Sequence, residues 1–547
     1  MVAHILTPNW SADGHDVWGP TASWPAGAAA WLSRASVDAD PASDTAALAA
    51  ADAGPRQAKR ADVCPPPRDR ERVLLIGTYD LGHQPFGLAS PAAWLSAAGY
   101  QVDCLDLSRS GLDAERVAAA LVVAFYLPMH TATRLAMQAL SEVRALNPAA
   151  RICCYGLYGQ ANATTLTALG ADRVISGEFE AELVHYVDSV VGPAPTAEAK
   201  SAPPTRDRRT AAGRGTAITA LDRLQFYVPD RSALPQLTDY AQLAIGQSRR
   251  IVGYTEATRG CRHGCRHCPV VPVYGGKLRV VQQSVVLADI DAQVAAGAEH
   301  ITFGDPDFFN APGHGIRVVQ VMHARHPNLT YDVTIKIEHL RKHRRLLPAL
   351  AETGCLLVTS AVESIDDAVL GYLDKGHTRA DFIEAVGVCR DAGVVINPTF
   401  VAFHPWLTHQ ILLDTFALLD RLDIVGSVAP IQLTTRLLVP GGSLLLELPE
   451  FAGMVRGFDP EKLVYPWAHP DPEMDELQVA LERLVADSAR ADLSRYETFD
   501  RMWSLAGGNP PPRTATPPVD IPQLLEPWFC CSEPVAELVA GWAAPDL

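Results

Sequence analysis

The sequence predicts an α/β protein with two successive parallel-sheet domains: a doubly wound N-terminal sheet, then a partial (β/α)6 barrel, then a mainly helical C-terminal tail. Three observations predict it. Short apolar runs of strand length alternate with helical patterns of longer period over most of the chain. A stretch rich in Pro, Ala and charged residues, "GPAPTAEAKSAPPTRDRRTAAGRG", divides that alternation in two. And 547 residues are more than one hydrophobic core can organise.

Residues 1–70 are Ala-, Asp- and Pro-rich without sustained periodicity and read as a disordered leader. From Arg72 the pattern changes. "RVLLIGTYD" is a buried-strand run, "PFGLASPAAWLSAAGY" a helix closed by Gly99, and "QVDCLDLS" a second strand, which together make a βαβ unit. "ALVVAFYLP" and "ARICCYGLY" follow, separated by the amphipathic "HTATRLAMQALSEVRALNP", and "ADRVISGEFE" closes a domain spanning 71–190. Cys153 and Cys154 lie in one of these strands, where neighbouring side chains face opposite ways, so one buried and one partly exposed thiol are expected. Residues 191–240 read as linker. Between 241 and 450 the strand candidates are "RRIVGYTEA", "EHITFGDPDF", "LTYDVTIKI", "CLLVTSAVES", "VVINPTFVAF" and "PIQLTTRLLV", with helices such as "LADIDAQVAAGA" and "TRADFIEAVGVCRDAG" between them. Chemistry in such a barrel is expected at the C-terminal strand ends. Residues 451–547 read as helical, Pro-interrupted, and end near "PWFCCSEPVAELVAGW".

The composition is 48% hydrophobic and 20% charged, with a formal charge of −16. That balance argues against nucleic acid as a partner. There is no apolar run of membrane-spanning length and no signal-peptide layout, so a cytoplasmic protein without a membrane role is expected. Eleven cysteines are few for a disulfide scaffold of this size and favour metal or thiol chemistry.

The densest cluster is "TRGCRHGCRHCPVV". Cys261, Cys265 and Cys268, spaced C-x3-C-x2-C, let one short loop wrap three thiolates around a compact cluster, leaving one position open. A structural zinc with His263 or His267 as the fourth ligand is the alternative; the loop's place after the first barrel strand weighs against it. The loop resembles the cluster loop of the radical S-adenosylmethionine (SAM) superfamily. That resemblance implies a [4Fe–4S] cluster whose open iron chelates SAM, and a one-electron reductant such as flavodoxin or ferredoxin as partner. "TFGDPDF" resembles the segment contacting the methionyl amine, through Asp305. "SAVES" resembles the "GxES" element, in which Glu363 and Ser364 would face the SAM ribose or carboxylate, and "DKGHT" also fits. "NPTFVAFHPW" departs from the usual pattern, and His404 and Trp406 are expected to shape the substrate side.

The N-terminal domain resembles the Rossmann-like cobalamin-binding domain found ahead of many radical SAM barrels, which makes cobalamin a possible cofactor. It lacks D-x-H-x-x-G, because Asp80 stands three residues before His83. In the tail, Ser532 can cap a helix beginning at Glu533, placing Cys530 and Cys531 at a helix N-terminus, where thiolate is favoured and two sulfurs suit one soft atom. "CCSEP" resembles the end of the CUAEP/CCAEP-tail radical SAM family, a likeness covering about residues 72–547. It implies catalytic roles for Cys530 and Cys531, arsenite as a small-molecule substrate, and transfer of the 3-amino-3-carboxypropyl group of SAM onto trivalent arsenic, as in arsinothricin biosynthesis. The competing expectations are a cobalamin-dependent radical SAM methyltransferase, a peptide-modifying radical SAM enzyme, and a non-catalytic electron-transfer protein.

Overall fold

The computed structural model describes residues 72–191, 217–513 and 521–525. The leader, most of the Pro/Ala-rich stretch, and Cys530 and Cys531 lie outside these.

The first sheet contains β1 (Arg72–Gly77), β2 (Gln101–Asp106), β3 (Val122–Tyr126), β4 (Arg151–Tyr155), β5 (Arg173–Gly177) and β6 (Ala217–Ala220). All pairings are parallel and the order is β2-β1-β3-β4-β5-β6. β1 shows why: all but its first residue are buried, as a strand covered on both faces requires. One face packs Leu74, Ile76, Phe125 and Cys154 under the helix His130–Leu146. The other packs Leu75, Ala124, Cys153 and Tyr155 under the helices Phe86–Ala97 and Phe179–Val191. Cys153 and Cys154 do face opposite sides, but both are fully buried, because a doubly wound sheet has no solvent face; burial pushes both thiols up, Cys154 to about 12. Gly87 is required where the chain enters the first helix: a Cβ there would lie 2.0 Å from the Tyr126 ring. β6 comes from the segment that reads as linker. Its residues, "AITA", carry too little apolar weight to stand out from the surrounding composition.

The second sheet contains β7 (Gln242–Ile245), β8 (Ser248–Thr255), β11 (His300–Phe303), β12 (Thr330–Thr334), β13 (Cys355–Glu363), β14 (Val395–Phe400) and β15 (Gln523–Leu524), with a two-stranded ribbon of β9 (Thr258–Arg259) and β10 (Arg279–Val280) beside it. Its order is β14-β13-β12-β11-β8-β7-β15. β8, β11, β12, β13 and β14 run parallel, whereas β7 and β15 extend the edge antiparallel. "PIQLTTRLLV" does not form the sixth strand. Pro430–Leu433 is a 3-10 turn, the Gln432 side chain accepts the Phe400 N–H at 3.3 Å, and the pairing shrinks to a bridge between Phe403 and Arg436. The 3-10 turn takes the backbone carbonyls of this segment out of strand register, so the Gln432 side chain supplies the acceptor for the Phe400 N–H, and Pro430 has no N–H to donate to a ladder. Helices Pro472–Arg490 and Arg495–Leu505 then pack Leu481, Phe499, Met502 and Trp503 into the barrel core.

Contacts between the two units converge on Arg259. Its Nε lies 2.6 Å from Glu256, its Nη1 3.0 Å and Nη2 2.7 Å from the Glu180 oxygens, and Nη1 is 3.6 Å from Glu178. Phe86, Phe179 and Phe226 surround the guanidinium at 4.9–5.5 Å. Arg231 adds a second link, donating to Gln84 of the first unit and to Asp289 of the second. Arg259→Met should lower stability by about 3–5 kcal/mol, because it leaves buried carboxylates without their cation. The chemical-unfolding midpoint checks this, and a loss under about 1 kcal/mol would show that Arg259 does not clamp the units.

Candidate active site

The C-terminal edges of both parallel sheets face one cavity of about 610 Å³. In an open sheet, ligands sit where strand order reverses, here between β1 and β3. The loops after those strands bring Asp80, His83 and Met129 to the cavity; β5 and the loop after it bring Gly177 and Phe179. The barrel side brings Tyr254, Glu256, Arg259, Asp305, Asp332, Thr359 and Asn397 from its own strand ends. Pro522–Leu525, around β15, closes part of the rim.

The three-cysteine loop springs from β9. Gly260 is needed there: its φ is +75°, and a Cβ would meet the Lys277 carbonyl oxygen at 2.3 Å. Cys261 and Cys265 are buried and Cys268 half-buried, none of them in a disulfide. Asn310 Nδ2 donates to Cys261 Sγ, and Lys336 Nζ to Cys265 Sγ, each at 3.5 Å. Lys375, fully buried, feels the charges of Glu363, Cys265 and Cys268, which raise its pKa against the cost of burial. Three thiols on one loop, with an amide donor and two ammonium groups around them, fit an anionic iron–sulfur cluster.

Asp305 follows β11. It is buried, accepts from the Ala257 N–H at 2.9 Å and from the Thr258 hydroxyl, and desolvation pushes its carboxyl up to about 7. Thus the residue expected at the methionyl amine borders the cavity and also fastens the segment leading into the cysteine loop. Glu363 ends β13 at φ +69°, a strained conformation for a non-glycine residue. It accepts from His267 at 3.1 Å and from Lys375 at 3.2 Å. Against desolvation, Lys375 and His267 hold its carboxyl down at about 2. Ser364 is buried and accepts the Asp366 N–H at 3.2 Å. Neither Glu363 nor Ser364 borders the cavity; Glu363 braces the cysteine loop through His267, whereas Ser364 bonds only within its own turn.

Asp307, two residues after Asp305, escaped the reading of the sequence. It is fully buried, faces His263 at 3.2 Å and His339 at 2.7 Å, and caps Phe309. "DPDF" was the available signal. His404 and Trp406, expected on the substrate side, do not border the cavity. Trp406 stacks on Tyr372 at 4.8 Å and packs against Phe451 at 5.6 Å, because the segment after residue 430 folds back over this loop. His83 does reach the cavity, with its ring 4.9 Å from Tyr254, and burial lowers it to about 4, so its imidazole is neutral. A neutral imidazole at a strand-order switch, within a largely apolar cavity, fits a cobalamin site, although the spacing from Asp80 departs from D-x-H-x-x-G.

A parallel half-barrel with three thiols after its first parallel strand, facing a doubly wound domain across a shared cavity, defines the class. Residues 255–419 match the family model of the radical SAM superfamily, and this segment is a radical SAM domain. Among curated proteins, the chain is 26% identical over 208 residues to bacteriochlorophyllide d C-8(2)-methyltransferase of Chlorobaculum tepidum, a match covering 34% of this chain and 42% of that one. The chain therefore spans less than half the length of that relative. Among solved structures, the radical SAM methyltransferase TsrM of Kitasatospora setae, with cobalamin and a [4Fe–4S] cluster bound, superposes with TM-score 0.52 at 16% identity, over 71% of this chain and 79% of TsrM. The cobalamin-dependent SAM radical enzyme OxsB, with aqua-cobalamin and SAM bound, gives TM-score 0.59 at 12% identity, over 77% and 67% of the two chains. At these identities the likeness is one of fold.

Replacing Cys261, Cys265 or Cys268 with Ala should leave anaerobically reconstituted protein without stoichiometric cluster iron, as measured by metal analysis; full iron retention would remove the loop as the ligand set. The Glu363 carboxyl, ordinarily near 4.5, is held at about 2, so its stabilising contribution is complete above about 4.5 and disappears as pH falls toward 2. Apo-protein carrying Glu363→Gln should therefore show a shallower loss of stability across that window than the parent in pH-dependent urea unfolding, and identical slopes would contradict the assignment.

Proposed function

We propose that the protein is a radical SAM enzyme that methylates a small molecule with the aid of cobalamin held between its two domains. The cavity into which both sheets open their C-terminal edges carries this reading. The resemblance in fold to TsrM and OxsB, and in sequence to a methyltransferase, supports it. Cys261, Cys265 and Cys268 would hold the [4Fe–4S] cluster, the barrel strand ends near Asp305 would hold SAM, and the loops carrying His83 and Met129 would meet cobalamin. When bound, these groups supply the electron, the methyl donor and the methyl carrier. The chain's own residues supply the setting. Tyr126, Tyr254, Phe179 and Phe303 wall the cavity and exclude water. Asp305, with its carboxyl near 7, can hold or release a proton at neutral pH. Thr302, Asp332, Thr359 and Asn397 offer polar contacts to a substrate from the inner barrel wall. The electron would come from an external one-electron carrier.

One observation favours a second reading, 3-amino-3-carboxypropyl transfer to trivalent arsenic. The described chain reaches Leu525 at the cavity rim, five residues before Cys530. Mass spectrometry of the products formed from SAM under strong reductant separates the readings. Methylation predicts S-adenosylhomocysteine formation that depends on cobalamin. Arsenite-stimulated methylthioadenosine, lost in Cys530→Ser/Cys531→Ser, would establish the second reading instead.

A further inference from the structure

The chain carries a formal charge of −16, yet residues 336–345, "KIEHLRKHRR", hold five Lys or Arg against a single acidic residue. The segment forms the helix Ile337–Lys342 and the 3-10 turn Arg344–Leu346. Some of this charge is spent locally: Arg341 pairs with Asp381 and Glu384, and Arg344 lies 3.5 Å from Glu384. Lys342 and Arg345 are exposed, and so is Arg262 in the cysteine loop.

The place of this segment sets it apart from an ordinary solvated face. Lys336, at the start of the helix, donates to Cys265 Sγ at 3.5 Å. The His263, His339 and His343 rings lie in series from the cysteine loop along the helix, with centroid separations of 4.6 and 5.4 Å. At 1.5 Å per residue the helix is about 9 Å long, so the exposed cations stand close to a cluster ligand. Neither this segment nor residues 261–268 border the 610 Å³ cavity. A protein docked here would reach the cluster side without obstructing the substrate.

We propose that the face carrying Lys342 and Arg345, on the segment whose Lys336 reaches Cys265, is the docking surface for an acidic one-electron carrier protein. The inference rests on the radical SAM reading of the cysteine loop. The docked carrier loses one electron, and a cluster on Cys261, Cys265 and Cys268 gains it; no proton or atom moves. Charge complementarity selects the partner: a few uncompensated cations on an otherwise acidic molecule steer an acidic protein to this face and repel it elsewhere.

The test uses the full chain and a purified flavodoxin. Calorimetric titration with oxidised flavodoxin at low ionic strength should show binding that weakens steeply with added salt, and Lys342→Glu/Arg345→Glu should weaken it by about ten-fold or more. SAM cleavage driven by dithionite should be unchanged in the variant, while cleavage driven by reduced flavodoxin should fall. Lys342→Gln/Arg345→Gln, which removes charge without reversing it, should give an intermediate affinity and serves if the reversal disturbs folding. Wild-type affinity in both variants, or no salt dependence in the parent, overturns the proposal. Absence of dithionite-driven cleavage in the parent would instead count against the radical SAM reading, and the binding measurement would still decide the docking face.

Discussion

The architecture depends on one buried cation. Arg259 stands two residues before the first cysteine of the metal-binding loop, and its guanidinium is sunk among Glu178, Glu180 and Glu256. Two of these acids belong to the doubly wound domain and one to the barrel, so the same side chain closes the domain interface and fixes the start of the loop. Such burial contributes little net stability, since desolvation consumes much of the attraction. It contributes specificity. Glu178 and Glu180 meet the Arg259 guanidinium only across this junction, and the cavity is lined by residues of both sheets.

The barrel meets that cavity with an unusual inner wall. A closed parallel barrel is ordinarily filled by layers of branched apolar side chains. Here Thr302, Asp332, Thr359 and Asn397 project from neighbouring strands toward open space. Their hydrogen bonds run partly among themselves, Asn397 to Thr359 at 3.2 Å and Thr302 to Asp332 at 2.6 Å. His300, on the same face of β11 as Thr302, holds Asp332 at 2.9 Å. Halting the barrel at five parallel strands and one bridge leaves the interior wide enough for this wall to stay accessible, whereas full closure would demand apolar filling.

Features written in residue type were legible in the sequence, and features written in tertiary proximity were not. β1, β3 and β4 are short apolar runs of strand length, the pattern of a strand covered on both faces. The cysteine loop announces itself because thiolates are themselves the ligands. Arg259 gave no comparable sign, since Glu180 lies 79 residues away in sequence. β6 was hidden by its four small residues. The missing sixth strand and the misplaced Trp406 share a cause: Pro430 ends regular pairing, and the segment after it folds back over residues that would otherwise face substrate.

The carboxyl groups around the cavity follow one electrostatic rule. Burial pushes Asp80 far above the usual carboxylate range, raises Glu256 despite its pairing with Arg259, and brings Asp305 to about 7. The raised values of Asp80 and Asp305 favour the neutral acid and lessen the cost of burying them, whereas Glu256 is offset by the Arg259 guanidinium. Glu363, just outside the cavity, runs the other way and stays ionised between Lys375 and His267. Burial thus works against ionisation at the cavity acids, while the Glu363 carboxylate is held charged behind the cysteine loop. That division suits a site in which charge must be stabilised at a metal cluster and kept away from a reactive, water-excluding pocket, and it places the loop, rather than either domain alone, at the electrostatic centre of the molecule.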